Sequence, residues 1–252
     1  MCPFMDDTAQ PLMTSAFDFQ HVNSQTRDSL TYWTSVISLF TEDNRIYPAD
    51  KGGRDGFALG SVIVKSSHLH VRECAQCAEI DFSYADMNEI RAIALAKTAL
   101  KDTKVPDIYF AGKVNGRQVL VQERLPGVGL SVAWAYLSSD QKTSYKDQAR
   151  KVLRQLHTIK PTEKLRSRSY VVPDPNILSN GRISPLEGAI LFSGTNHDPD
   201  MNFMHNDFTV SNCIVENGKV VGLIDWEMAG FLAGRLLAKS TVESEPHSES
   251  TL

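Results

Sequence analysis

The chain has 252 residues, 42% of them hydrophobic and 22% charged, an ordinary globular composition long enough for one large or two small cores. Its formal net charge of −4 offers no basic field to nucleic acid or to an anionic membrane. The first twenty residues lack a basic flank followed by an apolar run, and no apolar stretch approaches the ~20 residues of a membrane span, so a cytoplasmic protein is expected.

In chain order, residues 1–28 form a polar arm whose one pattern is a short helix near 17–21. Residues 30–40 and 44–48 are β-branched and aromatic in the manner of strands, and 51–56 is a turn by composition. Residues 57–65 then read as one strand, with Lys65 at its end. A polar excursion follows, holding His68, His70, Cys74 and Cys77. Together with Cys2 and Cys213 these are the four cysteines, and a lone Cys-x-x-Cys without a second pair or a His partner at zinc spacing is a weak metal signal.

Residues 83–101 carry Met87, Ile90, Ala94, Leu95 and Leu100 at helical intervals, with Glu89 in the first half of the helix. A strand starts at 105–110, Asn115-Gly116 is a hairpin signal, and 118–123 returns. Leu125-Pro126-Gly127 breaks that strand, where a hinge between two lobes would fall. Residues 138–159 form the longest amphipathic helix, capped by Ser138, Ser139 or Asp140, with Ala149, Val152, Leu153, Leu156 and His157 on one face. His157 reads as a packing residue. Residues 161–199 are rich in Pro, Ser, Gly and Asn and lead into the most informative stretch.

That stretch is Met204-His205-Asn206-Asp207-Phe208-Thr209-Val210-Ser211-Asn212, then a hairpin over 213–224, then Asp225-Trp226-Glu227. Asp and Asn are common at turns for local hydrogen-bonding reasons. Here, however, two acids and an amide stand at the spacing His-x-Asp-x-x-x-x-Asn followed by an acid after an apolar strand, the sequence form of a kinase phosphoryl-transfer site. Mg²⁺ takes oxygen ligands from one or two carboxylates plus substrate phosphates. Asn212 and Asp225 would supply them, and Asp207 would accept the proton of an attacking hydroxyl. Val62-Ile63-Val64-Lys65 resembles the kinase strand whose Lys holds phosphates, and Glu89 is placed to pair with it.

From about residue 44 to 231 the chain resembles the aminoglycoside phosphotransferase and choline kinase-like family, on the strength of His205-Asn206-Asp207 through Asn212 and Leu223-Ile224-Asp225-Trp226-Glu227. Protein kinases carry Asp-Phe-Gly where this chain has Asp225-Trp226-Glu227. The 48 positions between His157 and His205 (205 − 157 = 48) also suit the small-molecule branch. Val121-Gln122-Glu123-Arg124-Leu125-Pro126-Gly127 is similar to that family's interlobe linker. The resemblance implies an α+β, bilobal protein-kinase-like fold with a mostly antiparallel N-lobe sheet (29–124) and a helical C-lobe (125–239). It implies Asp207 as catalytic base, Asn212 and Asp225 on Mg²⁺, Lys65 and Glu89 at the phosphates of ATP, and the backbone of Gln122, Glu123 and Arg124 at the adenine edge. The acceptor would be a hydroxyl of a small molecule, with no nucleic acid and no membrane as partner.

Two departures qualify this. The segment expected to cover the phosphates, Phe40-Thr41-Glu42-Asp43-Asn44-Arg45, has no glycine and two acids. Only 27 residues follow Asp225 (252 − 225 = 27): two helical turns over 232–239 and a disordered acidic, Ser-rich tail over 240–252 are expected. A C-lobe cut short in this way would expose apolar surface of the 138–159 helix to a protein partner or a second copy, and would bind nucleotide weakly. The competing function is a non-catalytic kinase-like module that binds a nucleotide or a protein.

Overall fold

The structure, a computed structural model, describes residues 27–48, 53–70, 80–162, 168–178, 183–192 and 201–233. The expected arm up to residue 26, Cys2, the Cys74-x-x-Cys77 pair and the expected tail lie outside these residues.

In chain order the elements are α1 (Arg27–Ile37), a 3-10 turn (Glu42–Asn44), β1 (Arg45–Tyr47), β2 (Asp55–Leu59), β3 (Val62–Ser66), α2 (Ser83–Ala99), β4 (Ile108–Val114) and β5 (Arg117–Glu123). There follow β6 (Val128–Gly129), α3 (Leu130–Trp134), α4 (Ser139–Leu156), β7 (Ser169–Tyr170), α5 (Pro185–Phe192), β8 (Met201–Met204), β9 (Cys213–Glu216), β10 (Lys219–Leu223) and β11 (Gly230–Ala233).

The first five strands form one sheet in the order β1-β2-β3-β5-β4, antiparallel at every step. Side chains alternate between its faces. Val64, Val119 and Val121 join Phe57 and Phe110 in one apolar cluster, while Leu120 joins Ile90 and Ile93 of α2 in another. Lys65, next to Val64 in β3, therefore faces the α2 side.

The first cluster is closed by α1, which corrects the strand expected over 30–40. Leu30, Trp33, Ile37 and Phe40 all pack into it. Their spacing of three, four and three is helical, and it overrides the β-branched composition. Thr34 Oγ1 donates back to the Leu30 carbonyl at 2.8 Å, the arrangement that lets a hydroxyl residue sit within a helix. Phe40 stacks on Phe57 with centroids 4.1 Å apart. The single strand expected over 57–65 is two, β2 and β3, turned at Gly60 with a φ of +59°. The hairpin at Asn115-Gly116 stands as expected, with φ values of +51° and +74°.

After β5 the chain enters a second body in which three helices are interleaved with two small sheets, β10-β9-β6 and β7-β11-β8. Helix α4 is capped by Ser138, whose Oγ accepts from the Gln141 amide, while Gln141 Oε1 accepts from the Ser138 amide. Tyr145, Val152 and Leu156 of α4 are buried, and Ala149 and Leu153 are half-buried against the core. Residues 232–233, expected to open a helix, instead end β11, paired through Leu232↔Asn202 and Ala233↔Met201. Gly230 permits that packing, because a Cβ there would come within 2.5 Å of the Ser169 carbonyl oxygen. The two bodies are stitched by Lys104, whose amide donates to the Val221 carbonyl at 2.9 Å and whose carbonyl accepts from the Leu223 amide at 3.0 Å. No described helix is long and apolar enough to cross a membrane.

Candidate functional site

The structure brings Lys65, Glu89, Asp207, Asn212 and Asp225 to the seam between the two bodies. Lys65 leaves β3 from the α2 side and places Nζ 2.7 Å from Glu89 Oε2 and 2.8 Å from Asp225 Oδ1. The expected pairing with Glu89 is present, and the contact with Asp225 is an addition. Burial pulls the Lys65 pKa down, but Asp225, Glu89 and Glu227 more than reverse this and hold the ammonium charged. Burial and the neighbouring acids outweigh Lys65 at Glu89 and push its carboxyl up to about 7.

Asp225 follows β10 with a φ of +66°, a left-handed conformation uncommon outside glycine and often found at functional positions. Ion pairing with Lys65 offsets its burial and holds its pKa below the ordinary value. Trp226 turns into the core, fully buried, with its indole Nε1 donating to the Leu223 carbonyl at 2.9 Å and its ring stacked near Phe203.

His205 is fully buried. Its Nε2 donates to the Ile224 carbonyl at 2.9 Å and its Nδ1 accepts from the Asp207 amide at 3.3 Å, so the ring is neutral with a fixed tautomer. Burial lowers its pKa to about 4. The histidine thus joins the strand tip before Asp225 to the turn that carries Asp207. Within that turn Asn212 Nδ2 donates to both the Asp207 carbonyl and Asp207 Oδ2, each at 2.9 Å. Both amide N–H groups are engaged, which leaves the amide oxygen for a cation. Burial, and then the Asp225 charge, raise the Asp207 pKa, the direction that makes a carboxylate a better proton acceptor.

The Mg²⁺ reading was tested on the donor set. Carboxylate oxygens of Glu89, Asp225 and Glu227 lie within 4.8 Å of one another. Around them the acids Asp86, Glu89, Asp225 and Glu227 outnumber the cations Arg54 and Lys65, an excess of carboxyl groups over cations. Hard oxygen donors with that excess suit a divalent cation.

Two expectations are corrected. Residues 40–45 do not cover the site: they run from the end of α1 through the 3-10 turn into β1, and Phe40 is in the core. The turn between β1 and β2 is 48–54, which contains Gly52 and Gly53; its residues 49–52 lie outside the described ones.

At the hinge, the Glu123 amide already donates to the Asp107 carbonyl at 2.7 Å and the Arg124 amide to the Ser61 carbonyl at 2.9 Å. Gln122 is paired on both sides, with Ile63 and Ile108. The amides of Glu123 and Arg124 are thus engaged within the protein and are not offered to a base edge, as they were expected to be.

Sequence reading missed Asp86, Asn88, Arg54 and Glu227. Asn88, buried on α2, donates to the carbonyls of Glu227 and Ala229 at 2.9 Å each and accepts from the Val172 amide at 2.7 Å. It fixes α2 to the backbone beyond Asp225. The clue in the sequence is three polar residues, Asp86, Asn88 and Glu89, in a helix whose other positions include Ala85, Ile90, Ala92 and Ile93.

Comparison with known proteins bears on the fold. Residues 189–231 match the model of the phosphotransferase enzyme family. Three solved structures superpose with a TM-score of 0.50 at 14% identity. The streptomycin-ATP-APH(2")-IIa ternary complex and ADP-bound aminoglycoside phosphotransferase APH(2'')-Ib each cover 82% of this chain and 72% of their own. Aminoglycoside phosphotransferase APH(3'')-Id from Streptomyces rimosus covers 81% of this chain and 78% of its own. No curated protein matches by sequence. The chain thus has the protein-kinase-like fold of aminoglycoside phosphotransferases, and the resemblance read from its sequence is borne out.

Proposed function

We propose that the protein is an ATP-dependent phosphotransferase that moves the γ-phosphoryl group to a hydroxyl of a small molecule. The observation that carries this is Lys65 Nζ held between Glu89 at 2.7 Å and Asp225 at 2.8 Å, with His205 joining the strand tip before Asp225 to the turn that carries Asp207 and Asn212. Three distant chain segments converge on one cation. The matched family model, which covers this turn, supports the same reading.

In this reading Asp207 takes the acceptor hydroxyl proton as the new O–P bond forms and the bond to the ADP oxygen breaks. Asn212 holds Asp207 in place through two hydrogen bonds and turns its amide oxygen to the metal beside Asp225. Mg²⁺, when bound with ATP, supplies positive charge to the phosphate oxygens. Lys65 adds a second positive charge, and Glu89 holds Lys65. The base of the nucleotide lies against the loop that leaves β5, beyond Arg124. The net charge of −4 is compatible with a cationic acceptor.

Thermal stabilisation of the chain by Mg·ATP, followed by a phosphorylation screen over a library of small-molecule alcohols, tests this. Stabilisation and transfer to some alcohols are expected. Stabilisation with no transfer to any member would favour a nucleotide-binding module instead.

A further inference from the structure

Beside Glu89–Lys65–Asp225 lies a second row of charges, of which Glu227 also belongs to the oxygen donor set while Arg54 and Asp86 have no part in the reaction chemistry. Arg54, directly after Gly53 and immediately before β2, places Nη2 2.6 Å from Asp86 Oδ1 and 3.7 Å from Glu227 Oε2. Its guanidinium carbon lies 4.3 Å from the centroid of the Phe82 ring. The side chains of Arg54 and Asp86 are 4% and 0% exposed, whereas Glu227 is 26% exposed. Arg54 Nη1 and Asp86 Oδ2 are buried without a hydrogen-bond partner.

The two rows are built alike. Asp86 and Glu89 are three apart on α2 and so share one of its faces. Arg54 and Lys65 come from the two arms of one hairpin, with Gly56 opposite Lys65 and Asp55 opposite Ser66. Asp225 and Glu227 are two apart after β10. Each row therefore runs from an acid on α2, through a cation on the hairpin, to an acid beyond β10.

We propose that Arg54 is a positioning residue for nucleotide binding: with Asp86 and Glu227 it holds the chain entering β2, helix α2 and the acidic strand tip in one arrangement. The proposal rests on the phosphotransferase reading, and its logic is mechanical. When phosphate and metal enter, Lys65 must leave Asp225, and the first row loses one of its links. The Arg54–Asp86 pair has no nucleotide to meet and stays closed, so Glu89 and the chain entering β2 keep their places. A buried ion pair is a poor source of stability compared with apolar side chains of similar volume. Retaining three charges here makes sense for a device that fixes geometry. Arg presents its donors in a rigid planar fork that stays charged when buried, whereas Lys is a compact point charge on a flexible stem, so Lys at this position would fix the geometry less firmly.

The test uses the full 252-residue chain. Arg54→Met alone strands Asp86 in the interior and risks unfolding, so the charges are removed together in Arg54→Met/Asp86→Leu, and Arg54→Lys is made beside it. Affinity for Mg·ADP is measured by calorimetry and folding by thermal melting. The double variant is expected to melt near the wild type yet bind Mg·ADP about 10- to 100-fold more weakly, the usual range for losing a residue that orients ligands. Arg54→Lys is expected to fall between the two. A folded double variant, or Arg54→Lys, binding as the wild type does overturns the proposal. If the wild-type chain itself binds no Mg·ADP, the phosphotransferase reading fails separately. The row is then judged by amide exchange across Ser83–Ala99, expected to be about tenfold faster in the double variant, with unchanged exchange counting against it.

Discussion

Lys65 Nζ stands 2.8 Å from Asp225 Oδ1, so the cation proposed for phosphate and the acid proposed for metal neutralise each other in the structure. Their separation in sequence is 160 positions. Nucleotide and metal must enter together to replace that contact with two better ones, because either alone leaves a desolvated charge without its partner.

Asp225→Ala is therefore expected to abolish Mg²⁺-dependent ATP binding. Asp207→Asn should retain binding while lowering turnover by about 10²- to 10⁴-fold, the usual share of a general base. Calorimetry beside steady-state rates separates the two. Equal loss of Mg·ATP affinity in both variants would contradict the assigned roles.

Lys65 and Glu89 should be energetically coupled. A double-mutant cycle with Lys65→Met and Glu89→Gln, read on nucleotide affinity, is expected to give an interaction term of about 0.5–3 kcal/mol. Additive losses would make Glu89 a bystander.

His205 predicts a pH effect of definite sign. Its folded pKa of about 4 lies below the ordinary 6.5, so between these values the unfolded chain binds more protons. Stability from this residue is present above pH 6.5 and lost as pH falls toward 4, by roughly 3 kcal/mol. Glu89, raised from 4.5 to about 7, acts in the opposite sense, its contribution falling as pH rises through that window. The histidine share is thus read as a difference. Across pH 4 to 6.5, melts of His205→Gln should lack the gain with pH that the wild type shows, and parallel curves would rule out a buried neutral histidine.

Gly230→Ala tests the β7-β11-β8 sheet. Its Cβ would press against backbone, 2.5 Å from the Ser169 carbonyl oxygen, which cannot rotate away. A loss of about 1–3 kcal/mol in urea unfolding is expected. Unchanged stability would mean that β7 does not pair there.

The candidate site's Asp207, Asn212 and Asp225 were legible because they are close in sequence: they fall within 19 residues (225 − 207 + 1 = 19), joined by a hairpin whose turn at Asn217-Gly218 is written in residue types. The α2 helix and its Glu89, the Asn115-Gly116 hairpin and the Ser138 cap were readable for the same reason, since periodicity and turn chemistry act over a few residues. The misreadings came where composition and packing disagree. Residues 30–40 look like a strand until the sheet they cover is known, and 232–233 become a strand only because β8 lies beside them.

What the sequence determined by itself is the chemistry on offer: a cation at a strand end, an acid on a helix, and a base, an amide and an acid around a hairpin. Tertiary structure alone decided that residues 40–45 lead from α1 into β1, which hinge amides are already engaged, and that Arg54, Asp86 and Glu227 meet. These depend on strand order and on how α2 crosses the sheet. Contacts between residues 54, 86 and 227 leave no local periodicity to read, because the energy that forms them comes from burying surfaces far apart in the chain.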